Sequence, residues 1–324
     1  MEYIIITIIL FALELIYFKI ADKYNIIDKP NHRSSHTEIT LRGGGIIFPF
    51  AFLLFLASNF IKDNESFLHN YYIFGGGLLM ICTISFLDDI YDISSKIRLI
   101  FHFVAVTLLL YFVSAFYELP LYVIPVLYII VIGILNAYNF MDGINGITSL
   151  YSLAILFSLL YVNEYMINFV EKEFIIYPIL ATIVFLFFNF RKKAKSFLGD
   201  IGSMGIAFWV LALLGLLMFK THDLKWFLFL TLYGIDVVFT IIERLKLKEN
   251  IFEAHRRHLY QLLSNEKKID HRIISFFYTL LQIFINIFVI NSNTIIFSFF
   301  MVIIPTIILY LFLKISIKKN VSNN

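Results

Sequence analysis

Charge and cysteine are both scarce here: only 15% of the 324 residues are charged, and one residue is a cysteine. With 60% hydrophobic and 18% aromatic residues, the shortage of charge excludes a soluble globular domain, because no single core could hide so much apolar surface. The lone Cys82 excludes an internal disulfide framework and a cysteine-rich metal site, and is expected to be a small buried hydrophobe. The first apolar run begins at Met1 and lacks both a basic lead and a small-residue cleavage site, so it is expected to be a retained span. No soluble domain, linker, low-complexity tract or internal repeat interrupts the chain, and nucleic acid is not an expected partner.

What the chain does have is apolar runs of membrane-spanning length, roughly 17 to 25 residues each. About eleven (10–11) are expected, near 3–21, 43–60, 70–87, 99–117, 121–138, 146–163, 174–190, 201–219, 225–242, 272–291 and 294–314. The expected fold class is therefore all-α: a polytopic integral membrane protein, one domain over 1–324, with the lipid bilayer as its solvent. Numbering the hydrophilic segments alternately places 22 of the 26 Lys and Arg residues on one side. Lys62, Lys172, Lys220 and Lys225 remain on the other. Because positive charge stays on the cytoplasmic side, the N-terminus is expected outside and the C-terminus inside.

Five polar islands fall on that inner side. In "DKPNHRSSHTEITLRGGGIIF" (28–48), Gly43, Gly44 and Gly45 follow Arg42. This reads either as a positive-inside loop with a glycine turn, or as backbone N–H groups brought close to a phosphate with Arg42 as a fixed charge. In "FLDDIYDISSKIR" (86–98), Asp88 and Asp89 end a span, with Asp92 one helical turn beyond Asp88. Ionised groups at a membrane boundary are costly and tend to be functional. Two adjacent carboxylates suit a divalent metal, or a base and the group that positions it.

The third island, "NAYNFMDGINGITS" (136–149), spaces Asn139, Asp142 and Asn145 by three. On a helical turn they would form one polar stripe, with Phe140 and Met141 directed elsewhere. Alternatively, Asp142 caps the next span while Gly143 and Gly146 interrupt the chain. In "RKKAKSFLGDIGSMG" (191–205), Arg191, Lys192 and Lys193 read as topological anchors. Asp200, between glycines at the head of a span, suits Mg²⁺, which commonly takes one or two carboxylates plus substrate phosphates. The fifth island, "ERLKLKENIFEAHRRHLYQLL" (243–263), holds His255, Arg256, Arg257 and His258. No third ligand and no HExxH motif support zinc, so anion binding is the more economical reading. A basic helix lying on anionic lipid is the alternative.

Acidic metal ligands, glycine-framed contacts and cationic clamps on one face suit phosphoryl transfer between a charged soluble donor and a lipid acceptor. A transporter or lipid flippase is the runner-up. It predicts charges deep within several spans or paired broken helices, whereas these islands lie at one face. A scaffold explains neither the aspartates nor their order, and a CDP-alcohol phosphotransferase would need a DGxxAR motif that is absent.

In order, "RSSHTEITLRGGG", "FLDDIYD", "NAYNFMDGING", "AKSFLGDIGS" and "EAHRRHLYQ" resemble the motifs of the polyprenyl-phosphate N-acetylhexosamine-1-phosphate transferases, over about residues 28–263. This superfamily includes the phospho-N-acetylmuramoyl-pentapeptide transferases and the enzymes that start O-antigen, capsule and teichoic-acid precursors. The resemblance implies a Mg²⁺-dependent exchange, with Mn²⁺ as an admissible substitute, in the bacterial inner (cytoplasmic) membrane. Undecaprenyl phosphate would attack the β-phosphorus of a UDP-N-acetyl-sugar and release UMP, by direct displacement or through an aspartyl intermediate. Residue by residue, it implies Asp200 as metal ligand, with Asp88 as second ligand and candidate base and Asp89 beside it. Asn139 and Asp142 would contact the nucleotide and the active-site network, Phe197 would stack on uracil, and Lys195 and Arg42 would meet phosphate. His255, Arg256 and His258 would serve the donor phosphates or sugar. A homodimer is compatible with the resemblance.

Three departures stand out. Asn145 occupies the place of a second aspartate in "DGIDG", keeping a carbonyl and losing a charge. Asn189 falls one residue too far upstream to match the family asparagine and is left out of the expected site. "HRRHLYQ" replaces consecutive histidines, which resembles the O-antigen-priming subgroup more than the peptidoglycan enzymes.

Overall fold

Helices account for nearly all the regular structure in the computed structural model, which describes residues 1–30, 38–62, 65–91, 93–250 and 255–322. In chain order they are α1 (Glu2–Lys23), α2 (Ile47–Ile61), α3 (Glu65–Tyr91), α4 (Ser95–Phe112), α5 (Ala115–Glu118), α6 (Ile124–Met141) and α7 (Ile147–Tyr165). Then come α8 (Lys172–Asn189), α9 (Gly199–Thr221), α10 (Thr231–Lys246), α11 (Leu259–Asn265), α12 (His271–Asn291) and α13 (Ile295–Ser322). Eleven of the described helical segments are long and apolar enough to cross a membrane, one for each expected run.

Where the ends differ, local chemistry explains it. The expected span 99–117 is Ser95–Phe112, because Ser114 takes the left-handed conformation (φ 64°) that an ordinary helix cannot continue. The expected span 225–242 is Leu224–Lys246, and it starts as a tight 3-10 turn, Leu224–Leu230, before α10.

Helix α9 is the axis of the bundle. It is apolar all round and 89% of its spanning window is buried, as expected of a helix surrounded by others. Around it Phe52, Phe74, Phe174 and Trp209 pack edge to face or tilted, with ring centroids 4.9 to 5.8 Å apart, the geometry aromatic quadrupoles favour. Cys82 is buried, as expected, with its Sγ toward the Ile201 carbonyl. The terminal helices α1 and α13 turn most of their side chains outward, with 28% and 17% of their windows buried.

Gly45 and Gly202 bring two stretches of backbone into close contact. A Cβ built on Gly45 would lie 2.0 Å from the Gly202 Cα, so neither backbone tolerates a side chain there. The N–H groups of Gly44 and Gly45 donate to the Phe197 and Leu198 carbonyls at 3.0 and 2.9 Å. These donors are spent on the α9 approach, not on a phosphate. Gly44 and Gly45 thus dock the start of α2 against α9, which corrects the phosphate-cradle expectation for these two glycines.

A two-stranded antiparallel ladder joins β1 (Ile27–Asp28) to β2 (Thr40–Leu41), pairing Ile27 with Leu41 and Asp28 with Thr40. On its other edge Leu41 bridges Ser196 in parallel, and the Phe197 N–H donates to the Leu41 carbonyl at 2.8 Å. This small seam fixes the Arg42 segment beside the start of α9.

Candidate functional site

Arg42 is held by its backbone before its side chain does anything. Its N–H donates to the Ile26 carbonyl at 3.1 Å, and its own carbonyl accepts the Tyr17 hydroxyl at 2.6 Å. From that fixed base the guanidinium reaches two carboxylates, Asp89 Oδ1 at 2.6 Å and Asp200 Oδ1 at 3.1 Å. Burial works against the Arg42 charge, but Asp89 and then Asp200 more than restore it, so its pKa is raised. The Asp89 side chain is fully buried while that of Asp200 is 20% exposed, so Asp200 is the member of the pair that solvent or ligand can reach. Asp89 also accepts the Asp200 N–H at 2.9 Å, tying the C-terminal end of α3 to the first turn of α9.

Asp88 is directed elsewhere. Its carboxylate pairs with Arg98 and accepts the Ile93 N–H at 2.8 Å, closing the turn from α3 into α4. The structure therefore brings Asp89, not Asp88, to Asp200, because adjacent residues on a helix project about 100° apart. Asp92 lies outside the described residues, as do 31–37 of the first motif and 251–254 of the last.

A cavity of about 180 Å³ opens beside Arg42 and Asp200, lined also by Asn139, Asp142, Asn145 and Phe197. The three polar residues of the 136–149 island do meet there, but not as one helical stripe. Asn139 is in the last turn of α6, Asp142 is the residue that ends it, and Asn145 lies in the loop that follows. Gly146 (φ 84°) is the N-cap of α7, so Asp142 does not cap that span. Burial pushes the Asp142 carboxyl up to about 7, with the Thr148 hydroxyl working the other way. The Asn145 amide donates to the Arg191 carbonyl at 2.7 Å and so holds the basic loop against the cavity.

Asn189, excluded on motif spacing, lines the same cavity. It accepts the Gly146 N–H at 2.6 Å and donates to the Ser196 carbonyl at 2.9 Å, clamping the two site loops together. Gln261, His271 and Asp28 also reach the wall. No sequence signal singled them out, because they come from three separate segments that only the fold assembles.

A second cavity, about 510 Å³, shares Asn145, Phe197 and His271 with the first and is lined by Arg191, Lys192, Lys193 and Lys268. The residues expected to be topological anchors thus form a cationic wall. Phe197 stands between the two spaces. Lys195 is exposed and lines neither.

His255, Arg256 and His258 line neither cavity. Arg257 is engaged with Glu249 and Glu243. His258 is buried beneath the loop, while His255 has its pKa lowered to about 4 by burial, the neighbouring His258, and the cations Arg244 and Arg257. At neutral pH His255 is therefore an uncharged hydrogen-bonding group.

Among the described residues no cluster of three or more His, Cys, Asp or Glu could hold a metal ion. Asp200, partly exposed at the cavity wall, nevertheless matches what Mg²⁺ uses when substrate phosphates complete its shell: one or two carboxylates and an open side. The donor set fits the ion, with Asp200 as the accessible ligand.

The sequence profile of glycosyl transferase family 4 matches residues 71–219, a stretch that contains Asp89, Asn139, Asp142, Asn189 and Asp200. A Thermotoga maritima protein named undecaprenyl-phosphate alpha-N-acetylglucosaminyl 1-phosphate transferase is 29% identical over 267 residues, covering 80% of each chain. A Bacillus subtilis protein named "Probable undecaprenyl-phosphate N-acetylglucosaminyl 1-phosphate transferase" is 27% identical over 318 residues, covering 92% of this chain and 86% of that one. An Escherichia coli K12 protein bearing the Thermotoga name is 27% identical over 293 residues, covering 80% and 75%. The profile spans the carboxylates and asparagines that the fold gathers around one cavity, so over residues 71–219 the chain is similar to glycosyl transferase family 4.

Proposed function

We propose that this protein transfers an N-acetyl-amino-sugar 1-phosphate from a UDP-sugar to undecaprenyl phosphate and releases UMP. The observation that carries the proposal is the Arg42 guanidinium between Asp89 and Asp200, at the wall of a cavity that also presents Asn139, Asp142 and Phe197. Relatives covering most of the chain bear the name of that reaction. The site lies where eleven spans meet polar loops, which suits a reaction with one soluble and one membrane-bound partner. The positive-inside count supports reading this face as cytoplasmic, in a bacterial inner membrane, the side on which nucleotide sugars are made.

In the exchange, an oxygen of the lipid phosphate forms a bond to the β-phosphorus, and the bond from that phosphorus to the bridging oxygen of UMP breaks. A phosphomonoester is already largely ionised at neutral pH, with a second pKa of about 6. The protein's task is therefore to position the groups and balance charge more than to remove a proton. Phe197, between the cavities, offers a face for the uracil. Arg191, Lys192, Lys193 and Lys268 draw the diphosphate in, and Asn139 and Asn145 present amides to the nucleotide. Asp200 would hold Mg²⁺, which when bound would neutralise charge on the diphosphate, with Asp89 orienting Asp200 from behind; Arg42 offsets the charge of the two carboxylates.

The test is UMP release from purified protein in detergent with undecaprenyl phosphate and Mg²⁺, across a panel of UDP-N-acetyl-sugars. Release with one preferred sugar, abolished by EDTA and by Asp200→Asn, is the expected result. Folded protein that releases no UMP with any sugar overturns the proposal and brings forward a transporter or flippase.

A further inference from the structure

Asp236 is a carboxylate inside a span, on α10, with only 1% of its surface exposed. No motif drew attention to it. Such a group is expensive within a membrane unless its oxygens are satisfied, and here they are satisfied by donors from three other parts of the chain. The Leu259 N–H donates to both carboxylate oxygens at 3.1 Å. The Tyr278 hydroxyl from α12 donates to Oδ2 at 3.0 Å, and the Tyr310 hydroxyl from α13 to Oδ1 at 3.3 Å. His258 Nδ1 lies 3.3 Å from Oδ1. Since an ionised carboxylate only accepts, that contact puts the imidazole proton on Nδ1. Lys314 joins through Tyr310, its ammonium donating to that hydroxyl at 2.7 Å.

What Asp236 secures is the entry to α11. His258 and Leu259 are pinned to it directly. The next two residues face the site: Tyr260 donates to the Phe140 carbonyl at 2.9 Å, and Gln261 lines the cavity with Asn139 and Asp142. Gln261 Oε1 also accepts the His258 N–H at 3.2 Å. The tyrosine ring lies so close to Gly143 that a Cβ there would meet its hydroxyl at 2.2 Å. His258 Nε2 is buried with no hydrogen-bond partner among the described residues.

We infer that Asp236 is a positioning residue for the transfer reaction. It fixes the His258 tautomer and locks the start of α11, so that Tyr260 and Gln261 close the donor side of the cavity against the 139–143 turn. Asp236 does not line that cavity and acts only through His258 and Leu259. The inference rests on the proposed reaction and adds to it a group outside the matched residues 71–219.

The test compares full-length wild type, Asp236→Asn, His258→Asn and the double variant in detergent, measuring UMP release at varied donor and varied acceptor. In Asp236→Asn an amide N–H2 faces donors. About a tenfold rise in donor KM is expected, with acceptor KM unchanged, from the loss of a charge-assisted hydrogen bond. The double variant is expected to be no worse than the more damaged single, because both lesions break one linkage. Losses that multiply, or equal shifts in both KM values, overturn the inference, as does a donor KM equal to wild type. Should Asp236→Asn not fold, Tyr278→Phe removes one donor and is expected to give the same split at about threefold. Tryptic cleavage after Arg256 and Arg257 gives a readout without catalysis, expected about tenfold faster in Asp236→Asn. If wild type releases no UMP but the loop loosens as expected, the reaction assignment fails while the anchoring stands. An unchanged cleavage rate overturns the anchoring itself.

Discussion

Asp89 and Asp200, 111 residues apart in sequence, are joined by a hydrogen bond in which the Asp89 carboxylate accepts the backbone N–H of Asp200 at 2.9 Å. The bond aligns the C-terminal end of α3 with the first turn of α9, where a helix N-terminus favours nearby negative charge. Asp88, its neighbour in sequence, caps a turn with Arg98 instead. The two aspartates should therefore behave differently when neutralised. Asp89→Asn is expected to lower turnover by about a hundredfold or more, the scale of removing a charged group that orders a reaction centre. Asp88→Asn breaks a partly exposed ion pair and is expected to cost about 0–1 kcal/mol of stability, with turnover less affected than in Asp89→Asn. Steady-state UMP release and thermal unfolding in the same detergent separate the two.

Phe197 borders both cavities, while Lys195, two residues away, lines neither. If the ring is the base-stacking face, Phe197→Ala should weaken UDP-sugar binding by about 1–3 kcal/mol, the typical worth of an aromatic stacked on a base. Phe197→Tyr should retain most of it. Titration of UDP against each variant, without acceptor lipid, checks this, and Lys195→Ala is expected to shift affinity far less.

Gly45 and Gly133 make opposite forecasts from the same chemical change. A methyl on Gly45 would have to occupy the space of the Gly202 backbone, where no rotamer can relieve it. Gly45→Ala is expected to separate α2 from α9 and cost at least the roughly 1–3 kcal/mol of ordinary overpacking. Gly133, inside α6, has nothing within 4 Å of its would-be Cβ. Gly133→Ala is expected to be neutral or to stabilise by about 0.5–1 kcal/mol through helix propensity. Melting temperatures in one detergent suffice to test both signs.

Much of this was legible in the residue string, for a physical reason. Bilayer thickness dictates span length, so eleven apolar runs could be counted without knowing how they pack. Carboxylates and asparagines in apolar surroundings stand out because their burial needs a cause, and Asp142, Asn139 and Asp200 do converge on one cavity. Spacing could not reveal which of two adjacent aspartates turns inward. That depends on Arg42 and Arg98 competing for them, and on a seam built from Leu41 and Ser196. Nor could it show that Gly44 and Gly45 spend their N–H groups on the Phe197 and Leu198 carbonyls. Spacing leaves out Asn189 and gives no sign of Asp236 for a related reason: each acts by accepting a backbone N–H from a distant loop, and a hydrogen-bond acceptor at long range leaves no periodic trace.

The same Asp142 that marks the site also predicts how stability should vary with pH. Burial raises its carboxyl to about 7 in the folded protein, against a usual carboxylate value of about 3.9. The folded state therefore binds the proton more tightly than the unfolded chain, and the resulting stabilisation is complete below about pH 3.9 and lost as pH rises towards 7. Ligand-free protein should melt at progressively lower temperature between about pH 5 and pH 7, with the change levelling off above the folded value. Asp142→Asn removes the titrating group, and its melting curve should flatten over the same interval. Catalysis should run the other way if the carboxylate is the working form, with UMP release rising over the range in which stability falls. A wild type whose melting temperature rises from pH 5 to 7, or a variant that keeps the wild-type slope, would show that Asp142 is already ionised in the folded site. In that case its charge is balanced by Arg42 more completely than its burial suggests.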